Sequence, residues 1–136
     1  RTSNGGAKDF EYEKLADGRH VYDLVGDKLV ELGRDYMGEK RYSSIGLVIG
    51  GTHTEEAEEI RARYGSTFFL IPGYGAQGGK AEDIARYLNK GNGGTVNSSR
   101  GVLLAYKKQE GVAFDEAAYN ECVRMKEDIA HACSLL

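Results

Sequence analysis

Residues 72–79, with the sequence PGYGAQGG, form the stretch of the chain best suited to bind an anion. Four of these eight residues are glycines, which leave backbone N–H groups unshielded by side chains. The stretch follows an apolar run at 67–71 and precedes a helix-like segment that starts near Ala81. Exposed N–H groups next to a helix N-terminus are a common binding site for phosphate groups. The sequence therefore predicts a phosphate site here, and a glycine-rich turn without a ligand is the alternative.

Gly73, Gly75 and Gly78 also match the GxGxxG pattern of dinucleotide-binding proteins. That pattern is convincing when an acidic residue ends the next strand, about 20 residues further on. Residues 97–100 occupy that position with the sequence NSSR, which contains no acid, although Arg100 could hold the extra phosphate of NADP. An NADP-like binding module is thus a second interpretation, and a scaffold that binds nothing is a third.

Gln77 and Arg100 follow two successive predicted strands. The ends of successive strands are neighbours in a barrel, so an amide and a guanidinium from these positions can reach one phosphate. Arginine presents planar, forked donors that suit phosphate oxygens, and barrels often bind phosphate with the loops after their last two strands. We predict that these side chains share a phosphate, with a surface salt bridge and a loop-stabilising amide as the alternatives.

Helices and strands alternate along the chain. Apolar spacing predicts helices at 20–36, 55–64 (capped by Thr54), 81–88 and 114–136, a short helix or turn at 101–105, and strands at 45–49, 67–71 and 94–99. This order indicates an α/β protein with a parallel sheet, and the continuous apolar runs predict strands that are buried on both faces. The loops with unusual residues follow the strands, at the edge where α/β proteins keep their sites.

Three parallel strands are too few for an independent sheet, because their edges and one face stay uncovered. The chain also begins with Arg1 rather than Met. We therefore expect a partial domain that is not a stable monomer. Further strands, from another piece of the same protein or from another copy, are expected to pair with residues 45–49 or 95–98.

The composition favours a cytoplasmic protein with a core of ordinary depth. Hydrophobic residues make up 40% of the chain and the formal net charge is −3, which gives no reason to expect a nucleic-acid partner. No apolar stretch approaches the ~18 residues of a membrane helix, and no secretory leader is present, so no membrane partner is expected. Cys122 and Cys133 are predicted to be reduced core thiols, and the three histidines have no metal-ligand spacing with them.

Several segments together resemble orotidine 5′-phosphate decarboxylase, and more closely the subfamily common in bacteria. The resemblance covers nearly the whole chain and lies in the segments RTSN (1–4), LVIGGT (47–52), FLIPGYGAQGG (69–79) and VNSSRG (96–101). It implies a partial (β/α)8 TIM barrel, from the end of strand 5 through strand 8 and the C-terminal helix. Residues 1–136 would then be the C-terminal, phosphate-binding part of a single domain.

The resemblance also implies roles for particular residues. Gln77 and Arg100 would hold the substrate phosphate with backbone contacts from Gly78 and Gly79, whereas Ser3 and Pro72 would contact the pyrimidine base. The family usually has proline after the Ser-Asn pair, and this chain has glycine at that position.

The family's reaction depends on a lysine and aspartates in a D-x-K-x-x-D arrangement, which does not occur in this sequence. The resemblance therefore implies a parent enzyme that converts orotidine 5′-phosphate to UMP without a cofactor, and a 136-residue chain that carries no catalytic residue. Its implied partners are orotidine 5′-phosphate or UMP and the remaining half of the barrel, and the enzyme is expected to be a homo-oligomer. The chain alone is expected to be inactive.

Overall fold

A computed structural model describes residues 2, 4–51, 54–75 and 77–136. Its strands are β1 (Ser43–Val48), β2 (Thr67–Pro72) and β3 (Gly94–Asn97), which form a parallel sheet in the order β1-β2-β3. The α-helices are α1 (Val21–Gly33), α2 (Ala57–Arg63), α3 (Ala81–Ala85), α4 (Ser99–Leu103) and α5 (Phe114–Ser134). Short 3₁₀ turns occupy Gly5–Asp9, Arg34–Tyr36, Thr54–Glu56 and Ala105–Lys108. The predicted parallel α/β order is confirmed.

The core lies on one face of the sheet, beneath the helices. Phe69 and Ile71 of β2 are fully buried there, together with Ile84 of α3 and Tyr87 after it. The alternate residues Phe68 and Leu70 are 39% and 41% exposed on the other face. The prediction that the strands are buried on both faces was wrong for this chain, because its helices cover one face and side chains alternate along a strand.

Several helices begin or end at residues other than those predicted. Thr54 does not cap α2; it begins a 3₁₀ turn, and the helix proper starts at Ala57 without a side-chain cap. The predicted helix at 20–36 is α1 followed by a 3₁₀ turn. At their junction, a Cβ on Gly33 would come within 2.5 Å of Ser43 Oγ, so a glycine lets the helix end lie against β1.

The apolar residues of α5 are buried to different extents. Ile129 and Ala132 are buried, whereas Phe114 is 55% exposed. Cys122 is exposed, so the prediction that it is a core thiol was wrong, while Cys133 packs against the core and burial raises its pKa. Within the described ranges, no helix is long and apolar enough to cross a membrane.

Candidate functional site

The sheet register brings the carboxyl ends of the three strands together. Pro72 of β2 pairs with Asn97 of β3, the last residue of each strand. On the other side, the Gly51 N–H donates to the Pro72 carbonyl at 2.9 Å. The loops after all three strands therefore start side by side, as the sequence predicted.

The loop after β2 is a tight turn with its own hydrogen bonds. Gly73, Gly75 and Gly78 have φ angles of 117°, 71° and 90°, a region that favours glycine. The Gly78 N–H donates to the Gly75 carbonyl at 2.8 Å, and the Gly79 N–H donates to the Gly73 carbonyl at 3.0 Å. Both N–H groups thus donate to carbonyls within the loop.

A small cleft of about 60 Å³ lies between this loop and the end of β3. Its lining contains Pro72, Gln77 and Arg100, so the structure brings together three of the residues singled out by sequence. The other lining residues are Gly73, Tyr74, Asn97, Ser98 and Ser99. Gly78 and Gly79 are not among them, and Ser3 lies outside the described residues.

The cleft has a positive and polar lining. Arg100 and Gln77 are both exposed at its mouth. No carboxylate occurs among the described lining residues, and Arg100 contributes their one formal charge. A guanidinium without a competing carboxylate, next to side-chain amides and a hydroxyl, suits an anion with several oxygen acceptors.

Sequence reasoning missed two polar groups of the cleft. Asn97 and Ser99 both line it, and the Asn97 Nδ2 donates to Ser99 Oγ at 3.2 Å. The signal was present, since both residues stand beside Arg100 directly after β3. Polar residues next to Arg100 at the end of the strand are candidates for the same site.

Tyr74 and Ser98 hold the two walls of the cleft together, and they were also missed as site residues. Ser98 Oγ donates to the Tyr74 carbonyl at 3.0 Å, which joins the end of β3 to the glycine-rich loop. Tyr74 is only 4% exposed, and its hydroxyl donates to Asp128 of α5. Burial, and then this hydrogen bond, raise the pKa of Tyr74.

The described residues contain no group of three or more histidine, cysteine or acidic side chains placed to hold a metal ion.

Comparison with known proteins identifies relatives over nearly the whole chain. No protein-family model matches the chain. A protein from Clostridium tetani called orotidine 5′-phosphate decarboxylase is 57% identical over 133 residues, which cover 97% of this chain and 46% of that protein. A protein of the same name from Clostridium acetobutylicum is 54% identical over 131 residues, which cover 95% of this chain and 46% of that protein. The chain belongs to the orotidine 5′-phosphate decarboxylase family.

Solved structures place the fold in the same family. The UMP synthase of Leishmania donovani superimposes with a TM-score of 0.67 at 29% identity, covering 95% of this chain and 26% of the synthase. The orotidine-monophosphate decarboxylase structure from the same organism shares the fold, with a TM-score of 0.62 at 24% identity over 96% of this chain and 46% of that chain. The three strands and their helices thus correspond to part of the TIM barrel of orotidine 5′-phosphate decarboxylases. The chain spans about half the length of the curated relatives that it matches.

Proposed function

We propose that the chain is the phosphate-binding part of an orotidine 5′-phosphate decarboxylase, which makes UMP and CO2 in pyrimidine biosynthesis. One observation carries this proposal: Pro72, Gln77 and Arg100 line one carboxylate-free cleft, within the described residues, in a chain 57% identical to a protein of that name. No cofactor takes part, and the full enzyme is proposed to be a homo-oligomer.

Side chains bind the phosphate in this proposal. Arg100 supplies a forked, permanently charged donor and Gln77 supplies an amide N–H. The Gly78 and Gly79 N–H groups already donate inside the loop, so contacts from them to the phosphate would require the turn to open. We therefore assign these glycines chiefly to the shape of the loop.

We place the base next to Pro72, which lines the cleft and is the last residue of β2. Proline has no N–H, so at this position it offers an apolar ring and a carbonyl rather than a donor. That carbonyl already accepts a hydrogen bond from Gly51. The ring is therefore the part of Pro72 available to a pyrimidine, and Ser3 is proposed to supply the polar contact.

The missing half of the barrel is proposed to cover the exposed face of the sheet. Val48 pairs with Leu70, and Leu70 pairs with Thr95, so these residues form one row across the three strands. All three are exposed, Val48 at 52% and Leu70 at 41%. In a closed barrel the side chains on this face fill the packed interior.

Both outer strands also open onto clefts where further barrel elements would fit. A cleft of about 240 Å³ beside β1 is lined mostly by apolar residues, among them Val25 and Leu47. One of about 580 Å³ beside β3 includes Val96 and Met125. We propose that strands and helices from the rest of the same barrel fill both, which also completes the hydrogen bonding of the sheet edges.

The aspartates and the lysine of the reaction are proposed to come from that other half. The phosphate site still contributes to the rate, because binding energy at a remote, unreactive group can help to assemble the reacting geometry. This chain thus supplies binding and orientation, and proton transfer at the base occurs elsewhere in the barrel.

The NADP-binding alternative has less support. A pocket for a drug-sized ligand is typically about 300–1,000 Å³, whereas this cleft is about 60 Å³. The strand that follows the glycine loop ends at Asn97 without an acidic residue for a ribose. The cleft is better matched to a single phosphate group.

Ligand-induced stabilisation of the full-length protein that carries this sequence tests the function. We expect 6-azauridine monophosphate and UMP to raise the melting temperature, and NADP to leave it unchanged. Arg100→Ala should abolish most of the shift. The matched control is Arg86→Ala, because Arg86 is a partly exposed arginine that pairs with Glu58 away from the cleft. A shift with NADP alone would refute the proposal.

The chain by itself should have no measurable decarboxylase activity. The purified 136-residue chain, verified by mass spectrometry, would be assayed with orotidine 5′-phosphate beside the full-length protein. Turnover by the chain at a rate comparable with the full-length protein would refute its assignment as the phosphate-binding part.

A further inference from the structure

Two hydrogen bonds tie together the proposed phosphate ligands from behind the cleft. Ser98 lies two residues before Arg100, and its Oγ donates to the Tyr74 carbonyl at 3.0 Å. Tyr74 lies three residues before Gln77 and is anchored to Asp128 on α5 through its hydroxyl. Gln77 and Arg100 are therefore each within three residues of the hydrogen bond between Ser98 and Tyr74.

The surroundings leave Ser98 little freedom. It is 8% exposed, and a Cβ on Gly101 would come within 2.5 Å of its Oγ. A glycine at 101 thus lets the first turn of α4 lie directly against the serine hydroxyl. A buried hydroxyl held in this way makes a hydrogen bond that ordinary side-chain motion does not interrupt.

Tyr74 is held equally closely at its far end. Its ring is buried, its hydroxyl reaches Asp128, and the Arg124 guanidinium lies 6.0 Å from the ring centroid. The long helix α5 therefore acts as a fixed support for a loop that is otherwise rich in glycine.

We propose that Ser98, Tyr74 and Asp128 are positioning residues that set the spacing between Gln77 and Arg100. We call this trio the clamp. The inference rests on the proposed phosphate site and adds a mechanism for its geometry: a planar guanidinium and an amide must stand at a defined separation to share one phosphate. None of the three clamp side chains needs to touch the ligand for this effect.

The test compares two substrates in the full-length protein, orotidine 5′-phosphate and orotidine, which lacks the phosphate. The measured quantity is the ratio of their kcat/KM values, which does not depend on the fraction of folded enzyme. Ser98→Ala and Tyr74→Phe each delete one hydroxyl. We expect each to lower the ratio roughly threefold to tenfold, the effect of losing about one hydrogen bond.

Conservative and matched variants separate positioning from general stability. Asp128→Asn keeps an acceptor oxygen for Tyr74 and should retain a ratio close to that of the wild type, whereas Asp128→Ala should behave like Tyr74→Phe. Ser134→Ala also deletes a hydroxyl that donates to a carbonyl, that of His131, and Tyr119→Phe alters an exposed tyrosine of α5. Both controls should leave the ratio unchanged.

The outcomes distinguish the clamp from the function on which it rests. An unchanged ratio in Ser98→Ala and Tyr74→Phe would overturn the clamp, whether both substrates are unaffected or both decline equally. If the wild-type protein does not decarboxylate orotidine 5′-phosphate, or if Arg100→Ala leaves the ratio unchanged, the proposed phosphate site itself fails.

Discussion

Two arginines at opposite ends of the sheet show how one residue type serves different purposes. Arg61 lies at the amino end and is 8% exposed, with its guanidinium directed at backbone carbonyls. Arg100 lies at the carboxyl end, exposed to solvent, and no described carboxylate pairs with it. The Arg61 guanidinium bonds to the protein's own backbone, whereas the Arg100 guanidinium is exposed and could reach a ligand.

The Arg61 guanidinium joins several backbone segments at the amino end of the sheet. It donates to the carbonyls of Tyr64, Thr67 at 2.8 Å and Gly93 at 3.1 Å, and it lies 3.8 Å from the centroid of the Phe69 ring. Burial lowers its pKa, because the charge has left water. Barrels commonly separate stability and function in this way between the two ends of their strands.

The largest effect on activity is expected from Arg100→Ala in the full-length protein. Loss of a charge-assisted contact to phosphate should lower kcat/KM for orotidine 5′-phosphate by at least about tenfold, since such bonds contribute roughly 1.5–3 kcal/mol. The melting temperature should hardly change, because Arg100 is exposed. Steady-state kinetics and thermal unfolding, with Arg86→Ala as the control, check both parts. A large loss of stability without a change in kcat/KM would show that Arg100 has a structural role rather than a role in binding.

Arg61→Met should have the opposite profile. Removing the guanidinium deletes several buried hydrogen bonds to backbone carbonyls, so the free energy of unfolding should fall by about 2–4 kcal/mol. Arg61→Lys should lie in between, because one ammonium reaches fewer carbonyls. Denaturant unfolding gives the stability, and UMP titration of the folded protein should give an unchanged Kd. A selective loss of UMP affinity would show that the amino end also shapes the site.

Gly79→Ala tests whether this glycine shapes the loop. A Cβ there would meet the Gly73 carbonyl oxygen at 2.8 Å and the Gly51 carbonyl oxygen at 3.2 Å, so backbone must move. We expect a loss of about 1–3 kcal/mol in stability, as for overpacking elsewhere, together with weaker UMP binding. Gly5→Ala is the control, because a Cβ there has nothing within 4 Å. Equal effects of the two substitutions would show that the close approach at Gly79 is unimportant.

The sequence predicted the parallel α/β order and the convergence of Gln77 with Arg100, because both follow from local pattern and from the rule that parallel strands end at one edge. It did not predict the buried role of Arg61. An arginine on an amphipathic helix is usually solvated, and its role depends on which backbone carbonyls the fold brings within its reach. That information is distributed over residues far apart in the chain.

The glycine-rich loop is a second feature whose hydrogen bonding the sequence did not predict. Its composition predicted free N–H groups, yet those of Gly78 and Gly79 donate to carbonyls of the same loop. Composition fixes which conformations are accessible, whereas hydrogen bonding within the turn decides where each N–H points. The tie between Ser98 and Tyr74 was hidden for a similar reason, since it joins residues 24 positions apart.

The smallest effect is expected from the ion pair beside Arg61. Arg63, two residues on, donates to Asp27 of α1 through Nε at 3.0 Å and Nη2 at 2.7 Å, with both side chains about one-third exposed. The Arg63 guanidinium holds the pKa of Asp27 below its usual value. The pair therefore stabilises the fold above about pH 4, the unfolded pKa, and this contribution is lost as the pH falls through the folded pKa.

Asp27→Asn should consequently lower the free energy of unfolding by at most about 1 kcal/mol at pH 7, because exposed pairs are screened by solvent. The difference from the wild type should shrink as the pH falls below about 4. Denaturant unfolding between pH 7 and pH 3 measures both, with Glu39→Gln as an exposed carboxylate control. The loss of unfolding free energy in Asp27→Asn could instead equal that of Arg61→Met, or grow at low pH. Ion pairs would then contribute as much to stability at the amino end as buried hydrogen bonds do. The contrast between the two arginines would then need a different explanation, since stability there would no longer depend chiefly on the buried guanidinium.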